Sequence, residues 1–376
     1  MQAKALTATL GFIALLCGSL CGCGSGGASF GGENNPPAMP TIASSTGGQT
    51  GAQNGAVIVT LSATGGAVVH YTVDGSTPSA SSQVYQAPFL VASNLTVKAI
   101  AVASGQSSTV ASQAFTPNIA SNKVVWSDEF TSTGTLSQPN PAIWTYDTGN
   151  SGFGNHELET YCAWGSSTSP CTVASPSEYV GANDGYLHIV AQNPSGGVFT
   201  SARLKTQGLF SFQYGRLEVK AAVPEAQGFW PAAWLLGNNI ATVNWPACGE
   251  QDVLERVNAA LTPDWNEGSI HGTGFTGGTG LGVTYNFPTG QTAAQFHTYA
   301  MAWAPGHVSY YIDGTAYASF TIADATGIGG VWPFDAGQSN FILLNLAIGG
   351  DWPGAPDGTT PFPSEMLVDY VRIYSN

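Results

Sequence analysis

Short apolar runs interrupted by turn residues dominate this sequence. After the first 22 residues, no apolar pattern with a helical period is sustained. Runs rich in Val, Ile, Tyr, Phe and Trp are instead broken by Gly, Asn, Asp or Pro every ~8–12 residues, a spacing typical of antiparallel sandwiches and barrels. The 48 Gly and 22 Pro supply the turns. The sequence therefore predicts an all-β protein.

Charge and composition exclude several classes of protein. Charged residues make up only 9% of the 376 residues, too few for a coiled coil, and hydrophobic residues make up 43%, too many for a disordered chain. Nine Lys and Arg stand against 23 Asp and Glu, a formal net charge of −14. Because nucleic-acid binding requires a basic surface, we expect no nucleic-acid partner. We expect a monomer, with length enough for two domains.

The N-terminus has the features of an export signal. Lys4 precedes an apolar run from Leu10 to Leu16 that is too short to cross a bilayer. The signal peptide is predicted to span residues 1–22, in a segment that resembles the bacterial lipobox, so Cys23 would carry a lipid. Residues 23–36 would then form a Gly-rich tether. Ordinary signal cleavage near the same place is the alternative. The predicted location is the cell envelope of a bacterium or the medium, with the lipid as the only membrane contact.

Removal of the signal peptide leaves four cysteines, of which Cys23 is the predicted anchor. Cys162 and Cys171 lie in a short segment rich in Ser, Gly and Pro. In an oxidising compartment these two are expected to form a disulfide. Cys248 is expected to remain a buried thiol.

Two segments differ in composition. Residues 37–117 contain no Trp, whereas residues 123–376 contain all ten. Residues 71–78 of the first segment are Tyr-Thr-Val-Asp-Gly-Ser-Thr-Pro, with Asp-Gly as a tight turn. This motif resembles the chitobiase/β-hexosaminidase C-terminal-like module, which implies a small Ig-like β-sandwich. No catalytic set accompanies it, so residues 37–117 are expected to act as a spacer, with carbohydrate binding as the alternative.

Three carboxylates fall within six residues of the second segment, at Glu250, Asp252 and Glu255. Because side chains alternate along a strand, Glu250 and Asp252 share a face, and Glu255 joins them only if a β-bulge lies near Val253 and Leu254. Retaining glycosidases need two carboxyl groups ~5–5.5 Å apart, one as nucleophile and one as acid/base, and no cofactor. A solvated acidic strand edge and a Ca²⁺ site are the alternatives.

The surroundings of the cluster narrow the prediction. The motifs Gly228–Trp234, Ser269–Gly272 and Val368–Tyr374, together with Glu-x-Asp-x-x-Glu, resemble those of family 16 glycoside hydrolases over nearly all of residues 123–376. The resemblance is closest to the bacterial laminarinase-like endo-β-1,3-glucanases. It implies a concanavalin-like β-jelly-roll with a substrate cleft on its concave sheet, and a β-glucan polysaccharide as partner.

The resemblance also implies roles for individual residues. Glu250 would be the nucleophile, Glu255 the general acid/base and Asp252 the residue between them. The implied sugar-binding residues are Trp230, Trp234, His271, Asn155, Glu157 and Arg216. A structural Ca²⁺ is implied on the convex face, held by backbone carbonyls and one Asp; the matching positions are Glu129, Gly185 and Asp369.

Two residues depart from the family pattern. Gln251 occupies a position that points into the core, where it needs an internal partner or costs ~1–3 kcal/mol. Arg256 follows the last Glu, where an aromatic residue or His is common. The sequence predicts hydrolysis of internal bonds of laminarin-type β-1,3-glucan by double displacement. The alternatives are a mixed-linkage β-1,3-1,4-glucanase or another polysaccharide hydrolase or transglycosylase of the family, and a non-catalytic β-glucan-binding protein.

Overall fold

A computed structural model describes residues 35–47, 50–132, 134–257, 264–335 and 337–376. The predicted signal peptide, Cys23 and most of the predicted tether lie outside the described residues. Within the described ranges, no helix is both long and apolar enough to pass through a membrane.

The first segment forms two small facing sheets. Strands β1, β2 and β5 make one, and β4, β3, β6 and β7, with β8 beside β6, make the other. Alternating apolar residues such as Val59, Leu61, Val97 and Ala99 point between the sheets and form their core. The strands are β1 (Thr41–Ser45), β2 (Val57–Ser62), β3 (Val68–Thr72), β4 (Gln83–Val84), β5 (Phe89–Val91), β6 (Leu95–Ala103), β7 (Gln106–Ser107) and β8 (Ala111–Phe115).

The second segment is a large sandwich of two antiparallel sheets. Its first strands are β9 (Val124–Asp128), β10 (Thr145–Asp147), β11 (Glu159–Tyr161), β12 (Glu178–Val180), β13 (Leu187–Ala191), β14 (Phe199–Ser201), β15 (Arg203–Lys205), β16 (Gly215–Ala222) and β17 (Phe229–Gly237). The remaining strands are β18 (Glu250–Glu255), β19 (Trp265–His271), β20 (Leu281–Asn286), β21 (His297–Ala304), β22 (His307–Ile312), β23 (Thr315–Thr321), β24 (Asn340–Ile348) and β25 (Ser364–Tyr374). The short helices are α1 (Ile240–Val243), α2 (Ile322–Gly327) and a 3₁₀ turn at Gly277–Thr279.

One sheet, here called the cleft sheet, has the order β10-β15-β24-β17-β18-β19-β20. The other, the outer sheet, has the order β12-β13-β25-β16-β21-β22-β23, with β9 beside β25. Strand β24 is buried at every position because one of its faces enters the core and the other lies under the cleft. The prediction of an all-β sandwich is confirmed.

The hydrophobic core of the large sandwich includes a few residues of the first segment. Ala52, Ile58 and Leu90 belong to the same buried cluster as Trp126 and Phe210. The rings of Trp126 and Phe210 stack with centroids 4.3 Å apart, and the Trp126 Nε1–H donates to the Thr50 carbonyl at 2.7 Å. The first segment therefore covers Trp126, which is fully buried. That this segment acts as a spacer, or binds carbohydrate, stays a prediction.

The backbone of the first segment also extends the outer sheet. The Gln53 N–H donates to the Val125 carbonyl at 2.9 Å, and the Ser127 N–H donates to the Gly51 carbonyl at 3.1 Å. Residues between β1 and β2 therefore cover the edge of β9, which would otherwise offer unpaired backbone groups. On the cysteines, the predicted Cys162–Cys171 disulfide is present and Cys248 is a buried free thiol, as expected.

Candidate active site

A β-bulge in β18 places three carboxylates on one face of the cleft sheet. The register between β17 and β18 shifts by one residue, which leaves Val253 without a partner opposite. Because side chains alternate along a strand, this extra residue turns Glu255 onto the face that Glu250 and Asp252 already occupy. The bulge that the sequence pattern required is therefore present.

These carboxylates line a cavity of about 420 Å³ on the cleft sheet. Four of the predicted sugar-binding residues, Trp230, Trp234, Asn155 and Glu157, line the same cavity. The other lining residues are Phe153, Gly154, Arg203, Ala232, Leu236, Ile240, Trp245, Asn345 and Ala347. The cavity therefore joins paired acids to flat aromatic surfaces, the combination that a polysaccharide site uses.

An indole N–H holds each of the two glutamates. Trp230 Nε1 donates to Glu255 Oε1 at 3.0 Å, and Trp245 Nε1 donates to Glu250 Oε2 at 2.8 Å. Trp245 was not among the residues predicted from sequence. The available signal was its position in a Trp-Pro pair five residues before Glu250.

Asp252 is buried and held from the neighbouring strand β19. Ser269 Oγ donates to Asp252 Oδ2 at 2.8 Å, and His271 Nε2 lies 3.3 Å from the same oxygen. His271 is absent from the cavity lining and its ring contacts Asp252, so sugar binding by His271 stays a prediction. The contact follows from strand pairing, which sets His271 opposite Glu250.

Burial and mutual repulsion control the charge of the cluster. Burial, then the charge of Asp252, raises the pKa of Glu250 to about 8, while His271 and the Trp245 N–H oppose that rise. Burial and the charges of both Asp252 and Glu250 raise the pKa of Glu255 well above its usual range. Burial and the like charges of the cluster disfavour simultaneous ionisation of Glu250 and Glu255, so one of the two keeps its proton while the other is charged.

His271 supplies the compensating positive charge. Burial lowers its pKa, but the hydrogen bond to Asp252 and the charges of Asp252, Glu250 and Glu255 outweigh burial and raise the pKa to about 9. Glu250, Asp252 and His271 also have ligand atoms within 4.8 Å of one another, the only such three-residue set found in the described part of the chain.

A hydrogen-bonded chain, missed from sequence, links two of the predicted sugar-binding residues. Trp234 Nε1 donates to Asn345 Oδ1 at 2.8 Å, Asn345 Nδ2 donates to Tyr161 Oη at 3.3 Å, and Tyr161 Oη donates to Glu157 Oε2 at 2.7 Å. Asn155 Nδ2 donates to the other oxygen of Glu157 at 3.2 Å. These bonds fix the Trp234 ring and the Glu157 carboxylate relative to each other.

The prediction that Arg216 binds sugar is wrong. Arg216 lies on β16 in the outer sheet, where Nη1 donates to Glu218 Oε2 at 2.5 Å and the guanidinium covers the Tyr374 ring at 4.0 Å. The arginine that lines the cavity is Arg203, which lies on β15 of the cleft sheet. Its guanidinium is 4.8 Å from the Trp234 ring centroid.

Both departures from the family pattern have partners in the fold. Gln251 is fully buried and its Oε1 accepts from Asn340 Nδ2 at 3.3 Å, while its Nε2 has no partner among the described residues. Arg256 is also fully buried and forms a two-bonded ion pair with Asp264, with Nη1 donating to Oδ2 at 2.9 Å and Nη2 to Oδ1. The sequence required an internal partner for Gln251, and the structure shows that this partner is Asn340.

Two of the three positions implied for calcium, Glu129 and Asp369, carry ion pairs. Asp369 Oδ2 accepts from Lys220 Nζ at 2.7 Å, and the Glu129 carboxylate pairs with Arg372 at 2.9 and 2.7 Å. The ligands expected from Glu129 and Gly185 are backbone carbonyls, which these pairs leave open. The residues fit a Ca²⁺ ion only if Asp369 shares its carboxylate between Lys220 and the metal.

Family models match both parts of the chain. The model described as "Chitobiase/beta-hexosaminidase C-terminal domain" matches residues 48–113, and "Glycosyl hydrolases family 16" matches residues 169–371. The chain belongs to glycosyl hydrolase family 16. The second match contains the whole of β18 and hence all three carboxylates of the family 16 motif.

Known relatives place this hydrolase among glucanases. A Beta-glucanase from Rhodothermus marinus is 35% identical over 263 residues, which cover 67% of this chain and 85% of that protein. A Glucan endo-1,3-beta-glucosidase A1 from Niallia circulans is 32% identical over 289 residues, or 69% of this chain but only 38% of that longer protein. The laminarinase catalytic domain from Thermotoga maritima superimposes with a TM-score of 0.59 at 36% identity, covering 68% of this chain and 99% of that domain.

Proposed function

We propose that this family 16 hydrolase cleaves internal bonds of laminarin-type β-1,3-glucan with retention of configuration. The observation that carries the proposal is the bulged strand β18, which brings Glu250, Asp252 and Glu255 into one aromatic-lined cavity. The glucanase names of the similar proteins support the choice of polymer.

In the first step, a carboxylate oxygen of Glu250 attacks the anomeric carbon as the bond from that carbon to the leaving sugar oxygen breaks. Glu255 gives its proton to that oxygen. The Trp245 N–H orients the attacking carboxylate, and Trp230 orients the acid. Asp252 lies between the glutamates and repels a charge on each, which keeps a proton on Glu255.

In the second step, Glu255 acts as a base. It takes a proton from water as the water oxygen bonds to the anomeric carbon, and Glu250 departs as a carboxylate. These side chains supply the whole reaction, so the chemistry requires no cofactor. The Ca²⁺ implied by the resemblance, if bound, would sit at the outer sheet and would serve stability alone.

The test compares the full chain with its Glu250→Gln variant on laminarin, barley mixed-linkage glucan and agarose, with reducing ends as the readout. We expect release from laminarin by the wild-type chain and a loss of at least ~10³-fold in the variant. Faster release from barley glucan would favour the mixed-linkage alternative. A folded wild-type chain that binds laminarin and cleaves none of the three would favour the glucan-binding alternative.

We also propose that the protein is exported and anchored through a lipid on Cys23. The disulfide between Cys162 and Cys171 supports export, because such bonds persist in oxidising compartments. The test is metabolic labelling with a radioactive fatty acid in a bacterial host. Label that incorporates into the wild-type chain and is absent from Cys23→Ser is expected, whereas an unlabelled wild-type chain in the medium would indicate ordinary secretion.

A further inference from the structure

Three consecutive buried polar residues lie where β24 begins. Gln338, Ser339 and Asn340 are 4%, 5% and 1% exposed, and they are here called the polar strip. Buried polar side chains in folded proteins have hydrogen-bond partners, so such a run must be tied to its surroundings. Side chains alternate in direction along an extended chain, so Gln338 and Asn340 contact one part of the molecule and Ser339 contacts another.

One side of the strip holds the catalytic strand both before and after Glu250. Gln338 Nε2 donates to the Cys248 carbonyl, two residues before Glu250. Asn340 Nδ2 donates to Gln251 Oε1 at 3.3 Å, one residue after Glu250. Gln251 is fully buried and absent from the cavity that Glu250 lines, because neighbouring side chains leave a strand on opposite faces. These two hydrogen bonds therefore restrain the backbone that carries Glu250.

The other side of the strip contacts the first segment. Ser339 Oγ lies 3.1 Å from Ser211 Oγ, and Ser211 Oγ donates to the Pro88 carbonyl at 2.9 Å. Tyr71 on β3 also makes a hydrogen bond with Ser339, and both residues are buried. The Leu90 N–H donates to the Ser211 carbonyl at 2.9 Å, which ties the backbone of β5 to the same point. The first segment therefore holds Ser339 directly through Tyr71 and indirectly through Ser211.

Asn238, which follows β17, completes this network from the hydrolase side. Its Nδ2 donates to Ser339 Oγ at 2.9 Å, and its N–H donates to the Ser339 carbonyl at 3.0 Å. All of these side chains are neutral, and none of them is among the groups that shift the pKa of Glu250 most. The network can therefore determine where Glu250 lies without changing how readily it ionises.

We propose that the first segment positions the nucleophile Glu250 through the polar strip and Gln251. The first segment is then part of the scaffold of the active site, although no residue of it lines the cavity. The inference rests on the proposed function, since it requires Glu250 to be the nucleophile. Hydrogen bonds depend on direction as well as distance, so they fix a strand more precisely than apolar packing alone. A displacement of about 1 Å at a reacting group can cost ~10²-fold in rate.

The first test removes one hydroxyl group from the first segment of the full chain. Tyr71→Phe deletes the hydrogen bond to Ser339 and keeps the ring. The matched control is Tyr85→Phe, because the partners of the Tyr85 hydroxyl, Leu61 and Thr60, belong to the first segment. The rate on laminarin is measured well below the melting temperature of each variant. We expect kcat to fall about fivefold in Tyr71→Phe, as for one lost hydrogen bond, with KM unchanged. Tyr85→Phe should match the wild type.

The second test is made on the catalytic strand. Gln251→Met keeps the length of the side chain and removes its hydrogen bond to Asn340. We expect kcat to fall about tenfold with KM unchanged. If Tyr71 acts through Gln251, adding Tyr71→Phe to Gln251→Met should lower kcat by less than about twofold further, whereas independent effects would multiply.

A second control loosens the contact between the two segments away from the strip. Gln53 Nε2 donates to Ser127 Oγ at 2.6 Å, a bond between the first segment and β9 of the outer sheet. Ser127→Ala removes this bond and should leave kcat unchanged. A fall in kcat equal to that of Tyr71→Phe would show that any loosening of the contact slows the enzyme, and it would overturn the role of the strip.

The pH dependence of kcat/KM separates displacement of Glu250 from a change in its charge. Because the network is neutral, the acid limb should stay in place in Tyr71→Phe and Gln251→Met while kcat falls. An acid limb that moves, equal kcat in Tyr71→Phe and Tyr85→Phe, or losses that multiply in the double variant would each overturn the inference. Tyr71→Phe leaves β18 untouched, so it decides the question if circular dichroism shows that Gln251→Met is unfolded. A folded wild-type chain without activity on laminarin would instead overturn the proposed function.

Discussion

Trp245 donates its indole N–H to Glu250 at 2.8 Å although 48% of the residue is exposed. A donor to a carboxylate favours the charged form, and Glu250 must be charged to attack. We therefore expect Trp245→Phe to raise the pKa of Glu250 above its present value of about 8. A rise of one pKa unit would lower kcat/KM at pH 6 about tenfold and shift the acid limb of the pH profile upward.

The measurement is the pH dependence of kcat/KM on a soluble glucan. Trp332→Phe is the control, because the Trp332 Nε1–H has no hydrogen-bond partner in the described part of the chain. An acid limb that stays in place in Trp245→Phe would show that this indole does not tune Glu250.

Glu178 on β12 should make the protein less stable as pH rises. Burial raises its pKa from 4.5 to about 7, so the folded chain binds this proton more tightly than the unfolded chain does. The resulting stability is complete below pH ~4.5 and is lost as pH rises through about 7. Glu178→Gln should match the wild type near pH 5 and exceed it at pH 8, by up to about 3 kcal/mol. Urea unfolding at both pH values checks this, and an equal difference at the two would contradict it.

Gly51 should be essential to the contact between the two segments. Its φ is +75°, and a Cβ there would lie 2.5 Å from the Ser127 carbonyl oxygen. Gly65 has a similar φ of +68° with nothing within 4 Å of a Cβ, so Gly65→Ala carries the backbone strain alone. We expect Gly51→Ala to lose about 1–3 kcal/mol more than Gly65→Ala in thermal or urea unfolding. Equal losses would mean that the contact contributes little.

Calcium should raise the melting temperature if Asp369 shares its carboxylate with a metal. At 100 times the dissociation constant, an ion that binds only the folded chain adds about 2.7 kcal/mol. We expect EDTA to lower the melting temperature, Ca²⁺ to restore it, and Asp369→Asn to lose the response. Asp357→Asn, in an exposed loop, is the control. If neither EDTA nor Ca²⁺ changed the melting temperature, the Asp369 carboxylate would pair with Lys220 and would not bind a stabilising metal ion.

The sequence was most informative where the chemistry depends on local geometry. The bulge at Val253 follows from the period of a strand and the spacing of three acids, so it could be predicted without knowing any neighbour. Trp230 and Trp234 follow from the resemblance to family 16, and their spacing of four residues along β17 puts both on one face of that strand.

Errors arose where long-range pairing decides the outcome. Arg203 and Arg216 both lie on strands, and only the sheet to which each strand belongs separates a cleft arginine from a surface one. Trp245 lies outside the strands, where no periodicity reveals its direction. The partner of Gln251 is 89 positions away at Asn340. The burial of Trp126 depends on the first segment, and the sequence pattern of β9 gives no sign of that contact.

Residues of both segments are buried together around Trp126. The part of the chain that must fold together is therefore larger than either part that a family model matches. Family matching divides the chain into two parts, and a recombination event or a cloning primer would naturally cut between them. Such a cut would expose the Trp126 indole to solvent and would remove the backbone partners of β9. The hydrolase domain alone would expose an apolar surface around Trp126. We therefore expect the N-terminal part to be exchangeable among relatives only when the residues around Trp126 are exchanged together with it.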